Sequence, residues 1–282
     1  RGRALVDVDT SVPNGARSHT YRMMEDVGEA SLIVDYGDDL PTVDTKGTEH
    51  AEKIVSLGAA YFISIQDLRS AAMAGMPLET RKAAAVRKVM EHKLDKLIAE
   101  GDSTVGMTGF FNHAVPAADL ITPVTGNWLA GGTTAAQIQA DVEKLVKAIF
   151  VNTKGAHGNP DNGSTLTVVL PTALYAHLAS KRIDTFNMMT VLEYVRTRIP
   201  FVKEVTSWAR ADLANAAGDE GRIVAYHKDP DVISCVLPQD FEQFAMQPKN
   251  LGYLVPCHMR FGGMISRYPK AIAYMDGCDG VS

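Results

Sequence analysis

The sequence predicts an α+β fold, in which helices and strands are intermingled along the chain. Two long segments place apolar residues at three- and four-residue spacing, which is typical of amphipathic helices. Short apolar runs bounded by glycine, proline, aspartate and asparagine predict strands before, between and after them. These elements lack the regular βαβ alternation of a parallel-sheet enzyme, and no internal repeat is present, so the predicted class is α+β.

The composition is that of a globular protein without a membrane partner. The 282 residues are 46% hydrophobic and 22% charged, which permits one or two domains with a sizeable core. No apolar run approaches the roughly 18 residues needed to cross a bilayer, and Arg1–Ala4 has no apolar export signal. Three separated cysteines, Cys235, Cys257 and Cys278, favour a reducing compartment over a disulfide framework.

The charge balance leaves two interpretations open. The net charge is −5 and the isoelectric point about 5.9, whereas a protein that grips nucleic acid usually presents a basic face. This balance fits an ordinary soluble protein. It fits equally well a container whose mildly acidic wall does not trap packaged DNA.

The first 65 residues predict an extended arm followed by a projecting hairpin. Residues 1–20 show little periodicity, and Pro13–Gly15 gives a turn. The segment Tyr21–Ile65 is strand-like but is interrupted by the polar stretch Asp35–Glu52. Few apolar residues tie that stretch to a core, so it should project. The apolar runs on its two sides are Ser31–Val34, Lys53–Leu57 and Ala60–Ile63.

The strongest predicted helix begins at Pro77 and ends before Gly101. Proline suits a first helical turn and glycine a helix end. At 1.5 Å per residue this rod is roughly 35 Å long. Its predicted apolar stripe comprises Leu78, Ala85, Val86, Val89, Met90, Leu94, Leu97 and Ile98.

The second half of the chain predicts further elements of both kinds. Residues 101–132 lack periodicity, which is uncommon inside a compact domain unless the segment has a function. A helix should then start at Thr134, where Thr134–Gln137 has the form of a capping box, and end near Gly155. The strands expected after it are Thr165–Leu170, Val202–Trp208, Arg222–His227, Val232–Leu237, Leu251–Phe261 and Met264–Met275, with helices over Pro171–Ser180 and Met188–Arg198.

Common catalytic and cofactor signatures are absent. The sequence has no Gly-Lys dipeptide, which excludes the standard phosphate loop, and no GxGxxG, GxSxG, HExxH or CxxC motif. Cys257 and His258 are adjacent, but neighbours on a strand point to opposite faces and make a poor nucleophile–base pair. His113 has no partner at metal-ligand spacing. We therefore predict no catalytic residue, no cofactor and no metal site.

Two further groups have plain structural interpretations. Asp35, Asp38, Asp39 and Asp44 lack the ligand alternation, central glycine and final glutamate of a calcium loop, which favours a solvated hairpin tip. The methionines Met73, Met76, Met188 and Met189 are interpreted as core gap-fillers rather than as a binding surface.

Five stretches carry a resemblance to a known family, and they are Tyr61–Leu68, Pro77–Glu100, Gly101-Asp102 with Gly106–Asn112, Thr165–Tyr175 and Arg260–Pro269. In this order they resemble the Hong Kong 97-like fold of tailed-bacteriophage major capsid proteins, which encapsulin shells share. Tyr61–Leu68 looks like the strand and short helix that enter the family's spine helix, and Pro77–Glu100 looks like that helix. Gly101-Asp102 with Gly106–Asn112 resembles the family's segment after the spine. Thr165–Tyr175 resembles a strand that leads into a helix of the axial domain, and Arg260–Pro269 resembles the closing strands.

The resemblance implies a domain division. Residues 1–20 would be the N-terminal arm and residues 21–60 the E-loop hairpin. Residues 61–133 and 251–282 would form the peripheral P-domain, with the spine helix at 77–100, and residues 134–250 the axial A-domain. Some relatives cross-link a hairpin lysine to an asparagine, but Lys46 and Lys53 have no recognisable acceptor, so no cross-link is predicted.

The resemblance also implies a function. The chain would assemble with itself into pentamers and hexamers of an icosahedral shell around double-stranded phage DNA, held without sequence-specific contacts. Portal, scaffolding and decoration proteins are the other possible partners. The expected location is the virion capsid, assembled in the host cytoplasm. Arg1 would then fit the new terminus that a maturation protease leaves.

Other hypotheses remain beside this one. An encapsulin-like compartment would hold protein cargo instead of a genome. A soluble enzyme using Cys257 or His258 would elute as a small oligomer. A tail or decoration protein would form tubes or trimers.

Overall fold

The computed structural model describes residues 1–27, 42–113, 120–183, 188–214 and 220–280. The α-helices in these ranges are α1 (Gly2–Leu5), α2 (Ile65–Ala74), α3 (Leu78–Glu100), α4 (Ala135–Asn152), α5 (Thr172–Ser180) and α6 (Val191–Arg198). The strands are β1 (Asp7–Asp9), β2 (Ser18–Val27), β3 (Asp44–Lys53), β4 (Val55–Ser64), β5 (Gly101–Asp102), β6 (Met107–Thr108), β7 (Leu166–Leu170), β8 (Val202–Ser207), β9 (Arg222–His227), β10 (Ile233–Val236), β11 (Gln239–Gln243), β12 (Gln247–Pro248), β13 (Gly252–Phe261), β14 (Met264–Ser266) and β15 (Ile272–Asp276).

The strands form three larger sheets and two small ones. One sheet has the order β15-β9-β7-β8, in which only β7 and β8 run parallel. In a second sheet, the long strand β13 pairs with β4 over ten residues and also with β11 and β12. The third sheet has the order β1-β10-β14. The two-stranded sheets are β2-β3 and β5-β6.

The sheet β15-β9-β7-β8 separates two hydrophobic cores. Successive residues of a strand point to opposite faces. Val168 and Ala225 therefore face the core built on α4, α5 and α6, whereas Val169 and Tyr226 face the core that contains α3, β4 and β13. Burial on both faces explains why Leu166–Leu170 is a continuous apolar run.

The predicted long helix is confirmed as α3. Pro77 stands at the N-cap position, and Gly101 ends the helix with φ of 72°, a conformation that glycine adopts without a Cβ penalty. Burial is uneven along the rod. Met90, Leu94, Leu97, Ile98 and Ala99 are buried, while the predicted stripe residue Val89 is 63% exposed. The N-terminal half of α3 is thus less buried, and it packs on the core through the partly buried side chains of Leu78, Ala83 and Val86.

The second predicted helix is confirmed as α4, including its capping box. The Thr134 hydroxyl accepts from the Gln137 backbone N–H, and the Gln137 side chain accepts from the Thr134 N–H. The fully buried carboxylate of Asp141 accepts from Trp128 Nε1 at 2.9 Å and from the Val124 N–H. Such charge-assisted bonds fasten the irregular segment before α4 onto the helix.

The N-terminal prediction was partly wrong. Residues 1–9 are not a free arm, because α1 and β1 pack on the rest of the subunit. β1 pairs in parallel with β10, and Leu5 and Val6 are 5% and 1% exposed. Tyr226 Oη donates to the Leu5 carbonyl. Apolar side chains at two consecutive positions gave no periodicity from which this burial could be predicted.

Other boundaries also differ from the predictions. The polar stretch Asp35–Glu52, which was predicted as the projecting part of the hairpin, contains most of β3, whose side chains are exposed except that of Glu52. Helix α6 begins at Val191, three residues late, because Thr190 caps it. β9 and β10 follow each other but lie in different sheets. Ser31–Val34, together with Asp35, Asp38 and Asp39, lies outside the described residues.

The sheets do not follow the predicted domain boundaries strand by strand. β11 and β12 fall within residues 134–250 but pair with β13 of the predicted P-domain. β15 falls within residues 251–282 but pairs with β9 of the predicted A-domain. Short strands near the chain end carry no signal of which sheet they join, since that depends on pairing between distant residues.

Candidate assembly surfaces

The most prominent surface feature is the β2–β3 ribbon, formed by Ser18–Val27 and Asp44–Lys53. Its two strands pair antiparallel over ten residues, from Ser18 opposite Lys53 to Val27 opposite Asp44. Among the described residues no third strand joins it, and every residue of β3 except Glu52 is exposed. Two-stranded ribbons are at best marginally stable alone in water, so this ribbon needs an additional contact.

The base of the ribbon is fixed to the subunit body. Tyr21 stacks on His50 with ring centroids 5.4 Å apart. Tyr21 also belongs to a small core with Val12, Val236 and Ile265. Burial raises the pKa of Glu52, which stands on the same face of the ribbon. The ribbon is thus attached at one end and open along its length, where Met24 is 68% exposed.

The arginine of the predicted closing-strand motif holds the chain just before the ribbon. Arg260 of β13 donates from Nη2 to the Ala16 carbonyl at 2.7 Å and from Nη1 to the Asn14 carbonyl. Gly262, next to this strand, lies so close to Val236 that a Cβ would come within 2.9 Å of a side-chain carbon. The role of this arginine and glycine is therefore to position the ribbon's base.

A second surface surrounds α2, which buries no residue. Met73 and Met76 are 94% and 57% exposed, so their interpretation as core gap-fillers was wrong. The same interpretation was wrong for Met188, which lies elsewhere and is 73% exposed. Leu251, whose carbonyl accepts from the Ile65 N–H, is 79% exposed. Large apolar side chains left open in this way are typical of surfaces that bind another protein.

The structure separates Cys257 from His258. Both lie on β13, where alternate residues face opposite sides. Cys257 is 3% exposed, and burial raises the pKa of its thiol. His258 is half-buried on the other face, with its ring 6.4 Å from that of Phe244. A thiol kept protonated and facing away from the imidazole does not form the nucleophile–base pair that a cysteine enzyme requires.

We predict that neither Cys257→Ala nor His258→Ala abolishes assembly. The first removes one buried sulfur atom and should cost about 1 kcal/mol of unfolding free energy. The second removes a ring that makes no hydrogen bond in the described part of the chain. Sedimentation of the purified variants against wild type measures the assembled fraction. A reaction lost in either variant would overturn the non-enzymatic interpretation.

His113 is a structural residue. Its Nδ1 lies 3.2 Å from Thr108 Oγ1, and burial, with a smaller effect of the charge of His50, lowers its pKa. Across the described ranges, no three histidine, cysteine, aspartate or glutamate side chains converge in a way that could hold a metal ion. No described helix is long and apolar enough to span a bilayer.

A close histidine pair was not predictable from the sequence. His157 follows α4 and His227 ends β9, yet their Nδ1 atoms are 3.1 Å apart. The ring of Tyr268 lies 5.1 Å from that of His157. Burial lowers the pKa of both imidazoles, and the negative charge of Asp229 partly opposes this. Because the two rings are 70 residues apart in sequence, only the tertiary structure shows the pair.

The pair predicts an acid-sensitive stability. The folded-state pKa of each histidine is below its unfolded value of about 6.5, so the unfolded chain binds more protons below that pH. The unfolding free energy should be constant above about pH 6.5 and fall as the pH drops through the folded-state values. Thermal unfolding of subunits between pH 7.5 and 5 measures this. His157→Gln should reduce the slope of the unfolding free energy against pH. His92→Gln, at an exposed position of α3, should leave that slope unchanged. Equal slopes for the two variants would contradict the prediction.

Comparison with known proteins identifies the fold and then the family. The capsid of Myoviridae phage XM1 superposes with a TM-score of 0.75 at 16% identity, over 96% of this chain and 89% of that one. The capsid of an empty GTA particle superposes with a TM-score of 0.66 at 16% identity, over 98% of this chain and 89% of that one. The SrpI encapsulin of Synechococcus elongatus PCC 7942 superposes with a TM-score of 0.61 at 9% identity, over 99% of this chain and 87% of that one. These likenesses define the Hong Kong 97-like fold.

The family model described as "Major capsid protein" matches residues 28–278. The chain belongs to this family, and it is a structural protein of the capsid. No curated protein matches it significantly in sequence. The predicted fold and family are thereby confirmed. The family match supports a major capsid protein rather than a tail or decoration protein.

Proposed function

We propose that this chain builds an icosahedral shell of pentamers and hexamers around a double-stranded DNA genome. The observation that carries the proposal is the β2–β3 ribbon, which is fixed at its base and which no third strand joins among the described residues. An unpaired strand edge is a template for association that native proteins otherwise cover or blunt. In a closed assembly of identical subunits, each copy supplies that cover.

The exposed apolar side chains around α2 and the half-covered α3 support the same conclusion. They lie on other parts of the subunit than the ribbon, so one copy presents several separate surfaces. A subunit in a closed shell has neighbours on all its sides, and each contact is repeated by symmetry. The assembly requires no catalytic step, and we propose a non-enzymatic role.

We further propose the division into an N-terminal arm (1–20), whose first nine residues pack on the subunit body, an E-loop (21–60), a P-domain (61–133 and 251–282) and an A-domain (134–250). The spine helix and the long pair of strands β4 and β13 support the P-domain. The core on α4, α5 and α6 supports the A-domain. β11 and β12 lie in the A-domain range but pair with β13 of the P-domain. β15 lies in the P-domain range but pairs with β9 of the A-domain.

Packaged DNA would be enclosed rather than recognised. The net charge of −5 gives the subunit no overall excess of positive charge with which to neutralise phosphates, which supports enclosure without tight binding. Portal, scaffolding and decoration proteins are proposed as further partners. Assembly would take place in the host cytoplasm, and the shell would become the virion capsid.

Imaging and content analysis of the purified particles test this proposal. We expect closed shells by negative-stain microscopy and nuclease-protected DNA in particles from infected cells. An encapsulin-like compartment, which the SrpI likeness makes the second candidate, would contain a protein cargo and no protected genome. A protein that stays monomeric at high concentration, with the ribbon ordered, would contradict both the genome-enclosing shell and the encapsulin-like compartment.

A further inference from the structure

A polar groove of about 350 Å³ lies on the outer face of the sheet β1-β10-β14. Asp7 and Asp9 of β1 line one side, and Asp231 and Arg267 line the other, next to the turn between β9 and β10. Ser234 of β10 lies directly opposite Asp7 in the sheet register. Three carboxylates and one guanidinium give the groove an excess of negative charge.

The charged groups of the groove are only partly satisfied within the described part of the subunit. Asp9 accepts from the hydroxyl and the N–H of Ser11, and these bonds, with the smaller effect of the Arg267 charge, lower the pKa of Asp9. Arg267 itself donates from Nη1 to the Pro230 carbonyl at 2.9 Å. In the described part of the chain, the carboxylates of Asp7 and Asp231 have neither a hydrogen-bond donor nor an ion-pair partner.

A buried hydroxyl gives independent support for a missing ligand. Ser234 is 3% exposed, and its Oγ has no hydrogen-bond partner among the described atoms. Leaving a buried hydroxyl unpaired is costly, and native structures pair nearly all such groups. Because Ser234 lines the groove, a ligand seated there could give this oxygen the partner that the subunit does not provide.

The chemistry of the lining selects an organic cation. Among the residues that the structure describes, no three acidic side chains converge on one point as a metal site would require, and the groove is far larger than a single ion. We propose that it binds a protonated alkylamine, supplied either by a free polyamine or by a lysine side chain of a second copy of this chain. An ammonium group carries three donors and no acceptor, which complements carboxylates and a hydroxyl oxygen.

Titration calorimetry with spermidine tests the groove on the full chain as free subunits. Wild type should show saturable binding. The double variant Asp7→Asn/Asp231→Asn should bind about tenfold more weakly, because it loses two charge-assisted contacts. Asp161→Asn, a change at an exposed aspartate outside the groove, should bind as wild type does.

Ser234→Ala separates binding from folding. The variant should bind spermidine more weakly while its melting temperature stays equal or rises, because a buried unpaired hydroxyl has been removed. A serine with a structural role only would leave the affinity unchanged. Equal affinity of wild type and the double variant, or no saturable binding by free wild-type subunits, would overturn the proposal.

The same titration on assembled shells distinguishes the two sources of the amine. If a free polyamine is the ligand, shells bind spermidine as free subunits do. If a neighbour's lysine fills the groove, shells do not bind spermidine, and shells of the double variant dissociate at lower salt. This second arm rests on the proposed shell. Failure to form shells would refute that function, while the free-subunit titration would still decide whether the groove binds an amine.

Discussion

Deleting residues 38–47 is expected to leave a folded subunit that no longer assembles. The described part of this segment holds no buried residue, since positions 42–47 are all exposed. Shortening the connection between two strands changes its closure free energy by less than about 1 kcal/mol. What the deletion removes is the outer half of the β2–β3 ribbon, where Gly47 pairs with Met24. If that half contacts a neighbouring subunit, its loss should prevent shell formation.

Circular dichroism and sedimentation together measure this result. A native spectrum with slowly sedimenting subunits is the expected outcome. Insoluble protein would mean that the ribbon belongs to the core, and normal shells would refute its role in assembly. A length-preserving variant, Met24→Glu, should also impair assembly by placing a charge on the ribbon. Asn162→Glu is its control, since it places the same charge at an exposed polar position outside the ribbon.

Replacing Gly101 by alanine is expected to prevent stable folding. This glycine ends the spine helix with φ of 72°, in a region that L-residues adopt at a cost of about 1–2 kcal/mol. Its surroundings are also closed. A Cβ would clash with the Met107 carbonyl oxygen and stand 2.7 Å from the Gly109 nitrogen, both backbone atoms that cannot rotate away. Together these effects should cost at least about 3 kcal/mol, a large share of a typical domain's stability.

Gly106 offers a matched control five residues away. Its φ is 77°, but no atom lies within 4 Å of an added Cβ. Gly106→Ala should therefore cost only the backbone strain, about 1 kcal/mol. Urea unfolding of both variants, or their soluble yield if Gly101→Ala does not fold, gives the comparison. Equal stabilities would show that the close approach after the spine helix is unimportant.

Local chemistry made several elements predictable from the sequence alone. Pro77 and Gly101 delimit α3 correctly because proline and glycine act through their own backbone restrictions. The capping box at Thr134 marks the start of α4 because its hydrogen bonds join residues three apart. The buried strand at Leu166–Leu170 and the order of motifs along the chain were sufficient to place the protein in its family.

Exposure and long-range pairing were decided only in the tertiary structure. The pattern of α3 could not show that Val89 is exposed, because burial of a helix face depends on how far the neighbouring sheets extend. The same applies to Met73, whose apolar character suits a core and an interface equally. Residues 1–9 became part of the body, and β15 joined β9, through hydrogen bonds between segments far apart in sequence. The sequence by itself determined the main helices, the buried strands and the family. The groove around Ser234 and the open ribbon exist only because folding brings distant strands together and leaves particular edges uncovered.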